Sequence, residues 1–305
     1  MVIVGGGPAG VAAGVYAARK RLKTLFVAEV VGGQSTDSVE IQNWIGTQKI
    51  SGLSLAKELE EHLRAYAGDI VDIKIGERAE LLDKRGDTFT VKTNKSTYEA
   101  HSILWAAGGT RKKLPAKGAA EFENKGVTYC ASCDGPLFAG QDVAVVGGGN
   151  AGFETCAQLL AYCKSVTLIH RHENFDRADK STVDAVLAHP NMRVIKNAEP
   201  AEVKGGQFVS SLIVKDRTTG QMQEIPTAAV FVEIGMVANT KPVKDLAALD
   251  EWGRVKVDGK SQRSSVGGLW AAGDCSDGLY HQNNIAAGDA VKALEDIYFW
   301  LKAGK

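Results

Sequence analysis

Two cysteines separated by two residues, Cys130 and Cys133, are the residues of this sequence best suited to chemistry, and an acid, Asp134, directly follows the second. Thiols at this spacing can close a small disulfide ring and open it again, which exchanges two electrons. A carboxyl group beside them is placed to protonate a leaving thiolate. The sequence therefore predicts a redox-active disulfide with Cys130, Cys133 and Asp134 as its catalytic residues.

A zinc site and a pair of inert core cysteines are the alternatives for this Cys-x-x-Cys. Zinc needs four ligands, and Cys156, Cys163 and Cys275 offer no second pair at a suitable spacing. Core cysteines would lie on the face of a strand or helix rather than in a polar turn. We therefore expect no metal, and we expect the other three cysteines to pack in the core. Asp134 also suits the cap of a helix or turn, which is the alternative to its acid role.

Glycine-rich segments lie on both sides of the cysteines and repeat each other. Residues 5–10 and 147–152 each follow a short apolar stretch and precede a helix-like one. When the first segment is shifted onto the second, the following strands align without a gap, so that Val27 falls on Ile169. Two such strand–turn–helix patterns predict two dinucleotide-binding halves.

The residue that ends the second strand of each repeat indicates which dinucleotide binds. Glu29 ends it in the first repeat, where a carboxylate accepts hydrogen bonds from a free ribose 2′-hydroxyl and repels a 2′-phosphate. Its counterpart is Arg171, which lies between His170 and His172 and is followed by Arg177, and guanidinium groups suit a 2′-phosphate. We therefore predict FAD in the first unit and NADPH in the second. Ordinary surface charge is the alternative for the two arginines.

Composition excludes several classes of protein. The 305 residues contain 36 Lys plus Arg and 36 Asp plus Glu, so no bulk charge indicates nucleic acid or an anionic membrane as a partner. No apolar run reaches the ~18 residues of a membrane span. Five cysteines argue for a reducing compartment rather than a secreted disulfide scaffold. Because a strand begins the sequence with no signal-peptide pattern ahead of it, we expect a cytoplasmic protein.

Taken together, the motifs resemble those of low-molecular-weight thioredoxin reductases and of the flavoprotein subunit of bacterial alkyl hydroperoxide reductase. The match covers nearly the whole chain and depends on residues 5–10, 32–34, 43–46, 127–136, 147–154, 170–171 and 271–274. The resemblance implies an α/β fold with two Rossmann-like dinucleotide-binding domains, each of three layers (ββα), and an NADPH domain inserted into the FAD domain. We expect residues 1–110 and 241–305 to form the discontinuous FAD-binding domain. Residues 111–240 would form the NAD(P)H-binding domain with the disulfide.

The resemblance also implies a homodimer, tightly bound FAD, and thioredoxin or a thioredoxin-like protein as electron acceptor. Cys133 would face the flavin and Cys130 would attack the acceptor, with a domain rotation about hinges near residues 109–111 and 239–242. The residues expected to bind FAD are Gly5, Gly7, Pro8, Ala9, Gly10, Glu29, Gly33, Gln34, Asn43, Ala107, Gly108, Gly273, Asp274, His281, Gln282, Asn283 and Ala286. Those expected to bind NADPH are Gly147, Gly149, Asn150, Ala151, Gly152, Glu154, His170, Arg171, His172, Arg177, Ile234 and Gly235.

Several alternatives stay open. Thioredoxin reductases usually carry two adjacent arginines where this sequence has Arg171 and His172, so NADH, or weak use of both nucleotides, is the alternative to NADPH. Residues 126–130 and Cys275 look more like the hydroperoxide reductase subunit. That subunit has an additional N-terminal pair of thioredoxin-like folds, whereas this sequence starts at the FAD strand, so we expect a free-standing thioredoxin reductase. A dithiol oxidase that uses oxygen, a flavin-binding module with structural thiols, and a ferredoxin or flavin as donor are the remaining hypotheses.

Overall fold

The computed structural model describes residues 1–38, 40–176 and 178–303 of the chain. The chain divides into two compact units: unit 1 comprises Met1–Thr110 and Val237–Lys305, and unit 2 comprises Arg111–Met236. The second crossing between the units comes slightly before the expected boundary at 240/241, because residues 236–238 form a strand that pairs with the first crossing.

In each unit, strands and helices alternate at first, and a run of strands then follows. Up to the first crossing their bounds are β1 Val2–Val4, α1 Pro8–Arg19, β2 Thr24–Ala28, α2 Gly52–Ala67, β3 Val71–Ile75, β4 Ala79–Arg85, β5 Thr88–Thr93, β6 Thr97–Ala100, β7 Ile103–Trp105 and β8 Gly109–Arg111. Between the crossings they are β9 Val127–Thr128, α3 Ala131–Asp134, β10 Asp142–Val146, α4 Asn150–Leu160, β11 Ser165–Ile169, α5 Lys180–Leu187, β12 Met192–Ile195, β13 Ala198–Gly205, β14 Val209–Asp216, β15 Met222–Pro226 and β16 Ala229–Val232, followed by β17 Met236–Ala238. The last elements are β18 Leu269–Ala271 and α6 Asn283–Lys302. None of the helices in the described ranges combines the length and the apolarity that a membrane crossing requires.

Unit 1 is built on a parallel sheet with the strand order β18-β7-β1-β2-β3. Successive side chains of a strand point to opposite faces, so Ile3 of β1 packs with helices α1 and α6 while Val2 and Val4 pack on the other side. That second side is covered by the antiparallel strands β4-β5-β6, whose Phe89 and Val91 are fully buried. The three layers are therefore helices, parallel sheet and antiparallel sheet.

Unit 2 repeats this arrangement with the strand order β12-β11-β10-β16-β9, again parallel. Val143 and Val145 of β10 face the core beneath α4 and α5, while Ala144 and Val146 face the core shared with the antiparallel strands β13-β14-β15. The predicted fold class, α/β with two Rossmann-like halves of three layers, is thus confirmed.

The glycine turns of the two units have the same construction. Gly5 follows β1 and Gly147 follows β10, with φ angles of +120° and +123°, a region that favours glycine. A Cβ on Gly10 would overlap the carbonyl oxygen of Gly5, and one on Gly152 would overlap that of Gly147. Only glycine at these places lets each helix begin directly against its strand, with its free N–H groups at the carboxyl end of the sheet.

The two crossings of the chain lie side by side, because β8 and β17 pair as a two-stranded sheet. On the unit 1 side Asn239 ties both segments together. Its backbone N donates to the carbonyl oxygen of Gly108 at 2.9 Å, and its Nδ2 donates to that of Ala107 at 2.9 Å. Its Oδ1 accepts a hydrogen bond from Thr110 Oγ1 at 3.0 Å. The point where the chain leaves unit 1 is therefore fixed to the point where it returns.

Candidate active site

Both cysteines of the Cys-x-x-Cys lie just after strand β9, in and beside the short helix α3. Cys130 is the N-cap of α3, and its Sγ accepts a hydrogen bond from the backbone N of Cys133 at 3.2 Å. The two sulfurs form a disulfide, with 5.3 Å between the Cα atoms, and both residues are half-buried. When the disulfide is open, the N–H of Cys133 can stabilise a negative charge on Cys130. The predicted thiol pair is thus joined and partly accessible.

Asp134 ends α3 and is held by the strand that precedes the cysteines. Its Oδ2 accepts a short hydrogen bond from the hydroxyl of Thr128 on β9. Burial raises the pKa of Asp134 above its ordinary value, while the Thr128 hydrogen bond and the charge of Arg111 act in the opposite direction. A carboxyl group whose pKa is raised keeps its proton to a higher pH, as a proton donor for a thiolate requires.

The remaining cysteines are buried thiols in the cores. Cys156 of α4 and Cys163, which lies just past the end of that helix, pack in the same hydrophobic cluster. Burial raises the pKa of Cys163 to about 11 and that of Cys275 to about 12. Thiols that hold their protons so strongly are poor nucleophiles at neutral pH. The predicted core placement of these three cysteines is confirmed.

The FAD residues predicted in unit 1 converge around its glycine turn and the start of α6. Gln34 Nε2 donates to Asp274 Oδ2 at 3.2 Å, although the two residues lie 240 positions apart. Asn43 Nδ2 donates in the same way to Gln282 Oε1 at 3.1 Å. The remaining predicted members of this region include Gly273, whose φ is +73°, and Pro8, Ala9, Gly33, Asn283 and the buried Ala286.

Two features of this region suit the binding of a cofactor: open space at the glycine turn, and a buried polar atom that has no hydrogen-bond partner among the described residues. A Cβ built on Gly7, the second glycine of the turn, would meet no atom within 4 Å, although its neighbours Gly5 and Gly10 are tightly packed. The Nε2 of His281 is buried and has no hydrogen-bond partner among the described residues. Glu29, which is predicted to end the second strand, directly follows β2. Its side chain is exposed, and Arg78 Nη1 lies 3.7 Å from its Oε1.

The NADPH residues predicted in unit 2 follow the same plan around its own glycine turn. Gly149 is the N-cap of α4 and Asn150 opens the helix, where its Oδ1 accepts a hydrogen bond from the backbone N of Asp179 at 2.7 Å. Gly235 has a φ of +103°, and its carbonyl oxygen accepts a hydrogen bond from the backbone N of Lys112 at 3.0 Å. The other members of this region are Ala151 and Glu154, both exposed, and the half-buried Ile234.

His170 supports the turn from beneath. A Cβ on Gly148 would come within 2.5 Å of its Nδ1, and its Nε2 lies 2.9 Å from the carbonyl oxygen of Asn174. Burial lowers the pKa of His170, which favours the neutral ring. Binding of NADPH by His170 stays a prediction, and the contacts of its ring are those of a residue that shapes the turn.

Basic residues gather beyond the end of β11. Arg171 and His172 are exposed, and Arg171 Nε donates to His172 Nε2 at 2.9 Å. Arg217, just past the end of β14, donates from Nη1 to the carbonyl oxygen of Arg171 at 2.6 Å and so holds this segment in place. Arg177, which is predicted to belong to the same site, lies outside the described residues.

Among the described residues, the structure brings four to these sites that sequence reasoning gave no role in them: Thr128, Arg111, Arg217 and Glu233. Thr128 lies six positions before the acid that it contacts and could have been found from the strand–turn spacing. Arg217 lies 46 positions from Arg171, and nothing in the local sequence marks that contact. Glu233 directly follows β16 and precedes the predicted Ile234 and Gly235, so its neighbours were the available signal.

Comparisons of the sequence and of the structure with known proteins both find flavoprotein disulfide oxidoreductases and their relatives. The family model described as pyridine nucleotide-disulphide oxidoreductase matches residues 1–290. The chain is 38% identical over 302 residues to an NADH dehydrogenase of Bacillus subtilis, covering 99% of this chain and 58% of that protein. It is 37% identical over 303 residues to a subunit of the alkyl hydroperoxide reductase of Escherichia coli, again covering 99% and 58%. The chain therefore spans a little over half the length of the curated relatives that it matches.

Solved structures of thioredoxin reductases match along nearly their whole length. The enzyme from Streptococcus pyogenes is 32% identical with a TM-score of 0.90, covering 99% of this chain and 97% of that one. The enzyme from Giardia duodenalis is 30% identical with a TM-score of 0.92, covering 99% and 98%. The resemblance inferred from the motifs is confirmed, both for thioredoxin reductases and for the hydroperoxide reductase subunit. With a family match across almost all of its length and a disulfide between Cys130 and Cys133, the chain belongs to the pyridine nucleotide-disulphide oxidoreductase family.

Proposed function

We propose that this protein is a flavin-dependent disulfide reductase that takes electrons from NADPH and delivers them, through the Cys130–Cys133 disulfide, to thioredoxin or a thioredoxin-like protein. The observation that carries the proposal is the arrangement of unit 2. Its disulfide follows β9 and its glycine turn follows β10, so both lie at the carboxyl edge of one parallel sheet. A homodimer, as the resemblance implies, belongs to the same proposal.

The residues of unit 1 fit FAD as the resident cofactor. Gly7 leaves open space where a pyrophosphate would approach the helix N-terminus, and the buried Nε2 of His281 is available to a ligand. Gln34, Asp274 and Glu29 supply polar side chains for the rest of such a group. When bound, a flavin supplies two-electron chemistry between a dihydronicotinamide and a disulfide.

The thiols and Asp134 account for the exchange with the acceptor. The thiolate of Cys130 attacks the acceptor disulfide, forms a mixed disulfide and releases one acceptor thiolate, which Asp134 can protonate. The thiolate of Cys133 then attacks the Cys130 sulfur, which closes the ring and releases the second acceptor thiolate. Two electrons and two protons thus pass to the acceptor, and the chain returns to its disulfide form.

An anaerobic titration of the purified protein tests the proposal. We expect the protein to be yellow, and we expect NADPH to bleach its flavin absorbance at lower concentration than NADH. Addition of an oxidised thioredoxin should then restore the absorbance. A colourless protein that takes up no FAD contradicts the proposal, and so does a flavin that no reduced nicotinamide bleaches.

A substitution at Asp134 tests its role as the acid. In the wild type, the rate at which the reduced protein reduces a disulfide acceptor should fall as pH rises through the raised pKa of Asp134, because the proton donor is lost. In Asp134→Asn we expect this rate to be about 100-fold lower at low pH and to lack that fall. Stopped-flow mixing of pre-reduced protein with acceptor measures both.

Thr128→Val is the matched control for this prediction. It keeps the acid but removes a hydrogen bond that lowers the pKa of Asp134, so the fall in rate should move to higher pH. An Asp134→Asn protein with the rate and pH profile of the wild type would show that the carboxyl group only caps the turn.

Arg171→Ala tests the preference for NADPH. Loss of an exposed guanidinium at the end of β11 should weaken NADPH binding by about tenfold and leave NADH binding nearly unchanged, because only NADPH carries a 2′-phosphate. The ratio of the two Kd values measures the effect. Arg193→Ala, which removes another exposed arginine from within β12, is the control and should preserve the ratio. A preference for NADH in the wild type contradicts the assignment of a basic 2′-phosphate pocket.

NADH as the electron donor is the second candidate, and two observations favour it. Arg171 is followed by His172, and the Arg171 Nε is engaged by that ring. The named relatives at 37–38% identity are an NADH dehydrogenase and a subunit of an alkyl hydroperoxide reductase. Under this alternative the dithiol chemistry is the same, and the acceptor is a protein of a hydroperoxide-reducing system.

A further inference from the structure

Glu233 lies at the place in unit 2 where a Rossmann-like sheet normally receives its ligand. From β10 the chain moves to β11 and β12 on one side of the sheet and then returns to β16 on the other. The crevice between the carboxyl ends of β10 and β16 is therefore the topological switch point, where such sheets bind ligands. Gly147 follows β10 there, and Glu233 follows β16.

The contacts of Glu233 place its side chain beside the glycine turn. Its carbonyl oxygen is the atom that a Cβ on Gly147 would overlap, and its own Cβ lies 3.9 Å from where a Cβ on Gly152 would be. Its Oε1 accepts a hydrogen bond from Thr155 Oγ1, on the second turn of α4, at 3.0 Å. The carboxyl group thus lies along the first turns of the helix whose N-terminus faces the switch point.

Among the described residues, the charged and titratable groups that face Glu233 come from two elements. Helix α4 presents Glu154 and Cys156, and the crossing strand β8 presents Arg111. Burial raises the pKa of Glu233 to about 7, and the negative charge of Glu154 acts in the same direction. Arg111 and the Thr155 hydrogen bond act against it. Near neutral pH the carboxyl group is therefore divided between its protonated and ionised forms.

Unit 1 shows that the fold itself needs no carboxyl group at this place. In unit 1 the first glycine of the turn is Gly5. A Cβ on Gly5 would overlap the carbonyl oxygen of Ala106, which therefore takes the place of Glu233. Gly5 and Gly147, Gly10 and Gly152, and Ala106 and Glu233 correspond one to one, with the same backbone contacts. The carboxyl group is thus an addition to unit 2 alone, and Glu233→Ala recreates an arrangement that already exists in the same chain.

We propose that Glu233 belongs to the dinucleotide site of unit 2 and takes up a proton when the pyrophosphate of the nucleotide binds at the glycine turn. The inference rests on the proposed function, because it requires a dinucleotide in unit 2. A pyrophosphate brings two negative charges to the helix N-terminus, and the ionised carboxylate of the half-buried Glu233 along the same helix opposes them. The proton comes from the solvent, and the neutral carboxyl group can then coexist with the ligand.

The sign of the pH dependence follows. If only the protonated form of Glu233 accepts the nucleotide, the apparent Kd is the intrinsic Kd divided by the protonated fraction. With a pKa of about 7, this fraction falls from nearly one at pH 6 to about a tenth at pH 8, so the Kd should rise about tenfold between these values. The nucleotide therefore binds more tightly at the acidic end of this range.

Isothermal titration calorimetry of the FAD-loaded protein with NAD⁺ and with NADP⁺ tests the inference, because oxidised nucleotides bind without electron transfer. Titrations at pH 7 in two buffers of different ionisation enthalpy give the number of protons taken up. We expect the wild type to take up about 0.5 proton more per bound nucleotide than Glu233→Gln does. Protons that the 2′-phosphate of NADP⁺ takes up or releases contribute equally to both proteins, so the difference between them reports Glu233 alone. Glu233→Ala should behave as Glu233→Gln does.

Two further variants separate the role of Glu233 from a general charge effect. Glu154→Gln removes the neighbouring negative charge and should still take up a proton on binding. Thr155→Val removes a hydrogen bond that lowers the pKa of Glu233, so its uptake should be centred at higher pH. Binding with equal proton uptake in the wild type and Glu233→Gln overturns this inference alone. Absence of binding by either nucleotide at any pH overturns the proposed function and the inference with it.

Discussion

Cys133→Ser is expected to abolish the reduction of a disulfide acceptor by NADPH, with a loss of at least about a thousandfold. A hydroxyl group cannot form the disulfide with Cys130 or be regenerated by two electrons, so no other group of the site can substitute for it. The glycine turns are untouched, so NADPH should still bleach the flavin. Steady-state acceptor reduction and anaerobic flavin absorbance, measured on the same sample, separate the two steps.

The two single cysteine variants also distinguish the roles of the sulfurs. In Cys133→Ser the remaining thiol, Cys130, can attack the acceptor, but no partner is left to resolve the product. We therefore expect a stable mixed disulfide with the acceptor, visible by mass spectrometry. Cys130→Ser should be equally inactive and should trap far less acceptor. Equal trapping by both variants contradicts the assignment of Cys130 as the attacking thiol.

Ser132→Ala is the matched control because Ser132 lies between the two cysteines. Its side chain is exposed, and its hydroxyl donates a hydrogen bond to Gln158 Oε1 at 3.1 Å rather than to a sulfur. Its loss should change acceptor reduction less than about threefold. Full acceptor reduction by Cys133→Ser would show that the thiols are structural and that electrons leave the protein by another route.

Gly7→Val is expected to remove bound FAD, with a rise in its Kd of at least about 100-fold. The backbone of Gly7 is extended, with φ −73° and ψ −177°, which valine can adopt. Beyond the two chain neighbours of Gly7, no described atom lies within 4 Å of an added Cβ, so we expect the substitution to leave the chain in place. The side chain would instead fill the space that a pyrophosphate needs above the helix N-terminus. Flavin content after purification and FAD titration of the apoprotein measure the loss.

Gly259→Val is the control for Gly7→Val. Gly259 also belongs to unit 1, and a Cβ built on it meets nothing within 4 Å, but it lies in a turn away from the glycine loop. Both variants should retain the unfolding temperature of the wild-type apoprotein, and only Gly7→Val should lose FAD. Retention of stoichiometric flavin by Gly7→Val would show that FAD does not bind at this glycine turn.

The fold and the local composition of each site were accessible from the sequence because they depend on short-range patterns. The glycine turns repeat without a gap, and the strands before and after them are buried on both faces, so their periodicity and the turn residues specify two parallel sheets. Cys130, Cys133 and Asp134 are close in sequence and therefore close in space. A sequence motif is sufficient to predict a site when the side chains that act together lie within a few consecutive residues.

Contacts across the sheet were not accessible in this way. The hydrogen bond between Gln34 and Asp274 and the position of Glu233 at the switch point depend on strand order, which brings together segments that are far apart in the chain. His170 shows a second limit, because its place in a nucleotide motif predicts a binding role and does not reveal that its ring packs beneath Gly148. A residue next to a ligand site and a residue that shapes that site look alike in a sequence.

The two-stranded sheet of β8 and β17 has a consequence for protein engineering, because it determines where unit 2 can be removed or replaced. Since Asn239 is bonded to Gly108, the two broken ends of unit 1 are adjacent, at about the spacing of neighbouring strands. A linker of a few residues could replace residues 111–236 and leave unit 1 as one continuous chain. The two ends of unit 2 also lie side by side, because β8 pairs with β17. An insertion whose two ends are adjacent in this way permits grafting, in which one inserted unit is exchanged for another without rebuilding unit 1.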